Sequence, residues 1–176
     1  WASKVFDKDE NCVDKLWDLI FDICLVNTND PIKSWNDKIS VSSKRSRKLN
    51  DLNLKSLHYT NSLGTDLYVG LSCDTIWYGA GDQMSDGRLI ICNMPTEEIF
   101  TAPHKNKTEG VVKSAKPLIY NGQIIDGFSI TFKKGKVVDF SAEKGYYTLK
   151  GLIETDNGTK SIGEVIGKLG AQVLNN

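Results

Sequence analysis

Leu118-Ile119-Tyr120-Asn121-Gly122-Gln123-Ile124-Ile125, followed by Phe128-Ser129-Ile130-Thr131-Phe132 and Val137-Val138-Asp139-Phe140, carries the fold in its punctuation. Asn121-Gly122 separates two apolar runs, and both residues tolerate the positive φ that a two-residue hairpin turn demands. Phe128, Ile130 and Phe132 alternate with Ser129 and Thr131, the period of a half-buried strand, and Lys133-Lys134-Gly135 turns the chain into the next run. Short strands joined by tight turns imply a mostly antiparallel sheet. Upstream, Leu67, Val69 and Leu71 alternate with Tyr68 and Gly70, and Ile76-Trp77-Tyr78 forms a second short run. The Gly79 to Gly87 stretch lacks the strand-to-helix setting and spacing of a nucleotide-binding loop, so it reads as a connection between strands. Leu89-Ile90-Ile91-Cys92 reads as one more strand.

Helical periodicity flanks this β-rich middle. Between Asp9 and Leu25 the residues Val13, Leu16, Trp17, Ile20, Ile23 and Cys24 recur every three or four positions, with Asp7 or Asp9 as the expected cap. Asp30-Pro31 then starts a second helix, an N-cap acid before a proline at the first helical position, with Ile32, Trp35 and Ile39 on one face. Lys44, Arg45, Arg47 and Lys48 make the only basic cluster, read as a solvated helix face because no aromatic residue interleaves it. Past the sheet, Gly145 to Thr155 reads as a helix stopped by Asp156-Asn157-Gly158. Ser161, with Glu164 three residues on, has the pattern of a capping box for a last helix carrying Ile162, Val165, Ile166, Leu169 and Val173. The expectation is an α+β fold: an N-terminal helical segment, then a mainly antiparallel β domain with one or two C-terminal helices. The corresponding divisions are 1–50, 51–165 and a divergent tail at 166–176.

With 176 residues the protein is long enough to bury a core, and 22 basic residues balance 22 acidic ones. A zero net charge argues against nucleic acid as the main partner, since phosphate binding needs a concentrated excess of Lys and Arg. No apolar run approaches the length of a membrane span, no signal peptide is visible, and the opening Trp1 suits a fragment. Cys12, Cys24, Cys73 and Cys92 form no Cys-x-x-Cys pair, so buried thiols in a reducing cytoplasm are expected. The triplets Asn106-Lys107-Thr108 and Asn157-Gly158-Thr159 have the form of glycosylation sites but no secretory context.

The chemistry concentrates in Asn93-Met94-Pro95-Thr96-Glu97-Glu98-Ile99-Phe100-Thr101-Ala102-Pro103-His104. Pro95 fixes its own φ and pushes Met94 to extended geometry, so the turn holding the two acids is set before any ligand arrives. On its own it reads more readily as a surface turn with solvated glutamates than as a partly dry metal-binding turn at a strand end. Together with Gly64-Thr65-Asp66-Leu67, Glu109-Gly110-Val111-Val112, Lys116-Pro117-Leu118 and Ile162-Gly163-Glu164-Val165, in this order, it closely resembles the thermophilic metallopeptidase family of aminopeptidases, of the aminopeptidase T and aminopeptidase S types.

The resemblance implies hydrolysis of N-terminal residues from peptides by two divalent ions, with zinc, cobalt and manganese all compatible. It implies Glu98 as one metal ligand, with Glu97 the lesser choice, and Glu164 as another, unless Glu164 serves as the cap of the last helix. Glu97, if it is not a ligand, would take the water's proton or hold the substrate's free amine. A homodimer is the family's habit. The sequence departs from the family in having only two histidines, His58 and His104, and His104, which follows the Pro-Thr-Glu-Glu word, does not map onto a family ligand. The family's remaining histidine and aspartate ligands lie further along. The expectation is therefore a central portion of a metal-dependent aminopeptidase that is inactive alone; the alternative is a truncated, non-catalytic relative that acts as a folded interaction module.

Overall fold

The computed structural model describes residues 2–6, 10–79, 81–91, 94, 96 and 98–166. In sequence order the elements begin with helices α1 (Ala2–Val5), α2 (Cys12–Ile23) and α3 (Pro31–Asp51). Strands β1 (Ser56–Thr60), β2 (Asp66–Leu71), β3 (Tyr78–Gly79), β4 (Asp82–Gln83), β5 (Leu89–Ile90), β6 (Ile99–Thr101) and β7 (Pro103–Lys113) follow. Then come β8 (Leu118–Tyr120), β9 (Gln123–Ile125), β10 (Ser129–Lys133), β11 (Lys136–Ser141), α4 (Tyr146–Ile153) and β12 (Val165–Ile166). Two compact units emerge, one of Trp1–Arg47 with Tyr78–Ile99 and the other of Lys48–Trp77 with Phe100–Asn176.

The second unit is built on a five-stranded sheet in the order β1-β2-β7-β10-β11, antiparallel at each pairing. The alternation in β2 sends Leu67, Val69 and Leu71 into the core, where Val69 is fully buried. The β1–β2 turn is set by Asn61, whose Oδ1 accepts the amides of Leu63 and Thr65, each at 3.0 Å. Thr65 in turn accepts the Lys113 amide at 2.9 Å, which ties this turn to β7. Gly110 of β7 has φ 110°, and a Cβ there would collide with the Asp66 carbonyl, so only glycine lets β2 and β7 close up.

The expected Asn121-Gly122 hairpin is present: β8 and β9 pair in register, with φ of 47° and 74° at the two turn residues. The turn between β10 and β11 likewise falls at Lys134 and Gly135, both at positive φ. Beside them α4 buries Leu149 and Ile153 against Ile125, with Phe128, Ile130, Val137 and Phe140 around this cluster. Asn50, near the end of α3, clamps the loop after β2: its side-group amide accepts the Trp77 N–H at 2.7 Å through Oδ1 and donates to the Trp77 carbonyl at 3.1 Å through Nδ2.

In the first unit, α3 begins as the Asp30-Pro31 pair predicts, with Asp30 Oδ1 accepting the Lys33 amide at 2.9 Å. Trp35 is buried and its indole N–H donates to the Cys24 carbonyl at 2.8 Å, joining α3 to the end of α2. A pocket of about 420 Å³ opens here, lined by Val26, Ile32, Trp35, Ile39, Leu89 and Met94 among others. No residue of α2 is buried. Lys44, Arg47 and Lys48 of the basic cluster are exposed on α3. Among the described residues Cys12, Cys24 and Cys73 are free thiols, and no helix is long and apolar enough to cross a membrane.

Three expectations need correction. The last helix does not form over Ser161 to Ile166: Ser161 to Glu164 run without helical structure, and Val165 and Ile166 pair antiparallel with Thr101 and Phe100. Two consecutive β-branched residues satisfy their backbone groups better against a neighbouring strand than in a helix begun next to Gly163. Glu164 is therefore not a capping-box residue; the positions expected on that helix face beyond Ile166 lie outside the described residues. Next, of the described residues in the run expected at Leu89 to Cys92, Leu89–Ile90 form a strand and Ile91 does not, with Cys92 outside the described residues, and Ile76-Trp77-Tyr78 yields strand only from Tyr78. Finally, α2 starts after Asn11, whose amide group makes no capping bond, while Asp7 and Asp9 lie outside the described residues.

Candidate metal centre

Glu98 stands at the mouth of β6. Its own side chain is exposed, whereas the next residue, Ile99, is 2% exposed, so the backbone is anchored immediately after the carboxylate. Gly79 packs against this point: a Cβ built there would lie 3.2 Å from both the Glu98 carbonyl oxygen and Ile99 Cγ1. A larger residue at Gly79 would have to displace the backbone that presents Glu98. The expected dry setting is not found for Glu98, whose carboxylate faces solvent. Pro95 and Glu97 lie outside the described residues.

Glu164 is also exposed and directly precedes β12, where Val165 is 7% exposed. Its lead-in is tethered on two sides. The Thr159 hydroxyl donates to the Ile153 carbonyl at 2.9 Å, and the Lys160 carbonyl accepts the Val137 amide at 2.8 Å. The Ser161 hydroxyl oxygen is buried with no partner among the described residues. On the other side of the ladder, the buried Thr101 donates from its hydroxyl to the Ile76 carbonyl at 2.8 Å, which holds β6 in place. Val165 pairs with Thr101 and Ile166 with Phe100, so the backbone leaving Glu164 is held by these two residues of β6.

The two histidines take no part in this arrangement. His104 Nδ1 accepts the Asn106 amide at 3.2 Å within β7. His58 pairs through Nε2 with Asp66 Oδ1 at 2.7 Å and stacks on Tyr68 at 3.8 Å between ring centroids, both partners coming from β2 across the β1–β2 register. This His58–Asp66–Tyr68 cluster had no signal in the sequence, since it depends on a strand register that a lone sequence does not announce. Among the described residues no three His, Cys, Asp or Glu side groups meet as a metal site.

Comparison with known proteins gives this geometry a context. The family model described as thermophilic metalloprotease (M29) matches residues 1–166. Aminopeptidase 2 of Geobacillus stearothermophilus is 44% identical over 167 residues, covering 94% of this chain and 40% of that protein. Aminopeptidase PepS of Streptococcus thermophilus is 42% identical over 167 residues, with 93% and 40% covered. The solved structure of wild-type AmpT from Thermus thermophilus superposes with a TM-score of 0.85 at 37% identity, covering 94% of this chain and 41% of that one. The chain thus spans about two fifths of the length of the relatives it matches.

Proposed function

Because the chain belongs to the thermophilic metalloprotease (M29) family, we propose that Glu98 and Glu164 are metal-holding carboxylates of an aminopeptidase site acting on peptide N termini. The observation that carries this reading is the family match through residue 166, which takes in both glutamates and the ladder that joins β6 to β12. Both side chains are solvent-accessible anionic oxygen donors, which suit two ions of zinc, cobalt or manganese. The fit is partial, because the described residues do not complete a set of three ligands.

A bound divalent ion would supply Lewis-acid polarisation of the scissile carbonyl and a more acidic water. The protein's own residues do the rest of the work assigned to them here. Glu98 and Glu164 hold charge at fixed backbone positions, and Gly79 and Thr101 keep β6 where Glu98 needs it. Glu97 either takes the proton of the attacking water or holds the free amine of the substrate. A homodimer belongs to the same reading.

With two carboxylates and no imidazole among them, this polypeptide alone holds a catalytic ion weakly and turns over little or no substrate. Calorimetric titration with zinc or cobalt checks the first part, with weak, non-stoichiometric heat expected. Turnover of a leucine anilide by the purified protein, or tight stoichiometric metal binding, would overturn the proposal that the 176 residues form an incomplete centre.

A further inference from the structure

Two Asn-Gly pairs occur in the sequence, Asn121-Gly122 and Asn157-Gly158. Asn-Gly is chemically vulnerable because glycine, without a Cβ, leaves the following amide nitrogen unshielded and free to approach the asparagine side group. The two pairs sit in opposite surroundings. Asn121 and Gly122 form the β8–β9 turn, held at left-handed φ by the pairing of Tyr120 with Gln123. Attack of the Gly122 nitrogen on the Asn121 carboxamide requires a backbone rotation that would break this turn.

Asn157 and Gly158 are exposed in the loop after α4, outside any helix or strand. The Gly158 N–H donates to Asp156 Oδ1 at 2.5 Å, and the Thr159 N–H donates to the same oxygen at 2.9 Å. The Lys136 ammonium donates to the Asn157 backbone carbonyl at 3.0 Å. Both contacts act on one peptide group: the cation withdraws electrons from its carbonyl, and the carboxylate stands on its proton. Leaving its two chain neighbours aside, only Asp156 atoms come within 4 Å of a would-be Cβ at Gly158.

We propose that Asn157 is a self-modification site, where the folded loop promotes loss of the carboxamide nitrogen, while Asn121 is protected. The Gly158 nitrogen bonds to Cγ of Asn157 as its proton passes to Asp156 and on to the departing Nδ2. The Cγ–Nδ2 bond breaks and ammonia leaves, closing a five-membered succinimide. Solvent water then adds to either ring carbonyl, giving aspartate or isoaspartate. The net change is loss of ammonia and gain of water, with no oxidation or reduction. Isoaspartate lengthens the backbone by one carbon beside the Thr159 and Lys160 tethers that lead to Glu164. That consequence for the metal centre rests on the reading above; the modification itself does not.

Prolonged incubation of the purified protein at neutral pH, followed by peptide mass mapping of both pairs, tests the proposal within one molecule. In the folded protein Asn157 converts several-fold faster than Asn121, and in urea the two rates converge. Asp156→Ser, which keeps a hydrogen-bond acceptor but removes the carboxylate, and Lys136→Met each slow Asn157 several-fold and leave Asn121 unchanged. Equal rates in the folded protein, or faster conversion in Asp156→Ser, would overturn it. The comparison between the two pairs needs no variant, so a misfolded substitution does not blunt the test. Peptidase assays do not enter the readout, so failure here is distinct from failure of the proposed function.

Discussion

Helix α2 of the first unit and strand β2 of the second treat their apolar residues in opposite ways. In β2 of the second, strand alternation and burial coincide: Val69 is fully buried, and Leu67 and Leu71 nearly so. In the first, α2 has as clear an apolar stripe as any helix could, yet Val13 and Trp17 remain 54% and 51% exposed. The difference teaches that periodicity identifies which face of an element is apolar and says nothing of what covers it. A sheet closes on its own neighbours through backbone pairing, whereas a helix must find a partner by side-group packing alone.

The contrast is sharpest in the cost of truncation. Ile125→Ala removes a fully buried side chain from the cluster under α4 and is expected to cost about 2 to 5 kcal/mol in chemical denaturation. A smaller loss is expected from Asp30→Ala, which removes the cap of α3 and costs about 1 kcal/mol, with helicity by circular dichroism falling in parallel.

A third difference is visible only in alkali. Burial raises the Tyr59 phenol above its ordinary value, so the folded protein keeps that proton to higher pH than the unfolded one does. The folded state then binds more protons, and its stability falls as the pH climbs past about 10. Tyr59→Phe is expected to lessen that decline in urea titrations across the alkaline range. At the far end, Trp17→Ala on the open face of α2 is expected to change stability by about 0.5 kcal/mol or less. If Trp17→Ala proved as damaging as Ile125→Ala, the face of α2 would be covered in solution and the comparison would fail.

Much of the second unit was legible because its turns are written in residues with a single use. Asn121-Gly122 and Lys134-Gly135 are left-handed turns, the first between two apolar runs and the second after a run that alternates with period two. The long strand β7 was not legible. Its Lys105, Lys107 and Glu109 are exposed and its central burial is carried by Thr108, so no apolar alternation marks it. What makes it a strand is pairing with β2 on one side and β10 on the other, a non-local fact. Ser161 to Glu164 misled for a related reason: a capping box is a local pattern, and the competing ladder to Phe100 and Thr101 comes from far away in sequence. At the candidate centre, Glu98 and Glu164 were singled out only through the family's words, and their role as ligands is a proposal. The anchoring by Gly79 and Thr101 was not, since it depends on tertiary contacts.

The central claim is that Glu98 and Glu164 serve one cation site. Manganese titration followed through paramagnetic broadening of backbone amides reads this directly, even where binding is weak. The account predicts that residues flanking Glu98 and Glu164 broaden together, and that Glu98→Gln abolishes the broadening at both places. Broadening around Glu164 that survives in Glu98→Gln would contradict it.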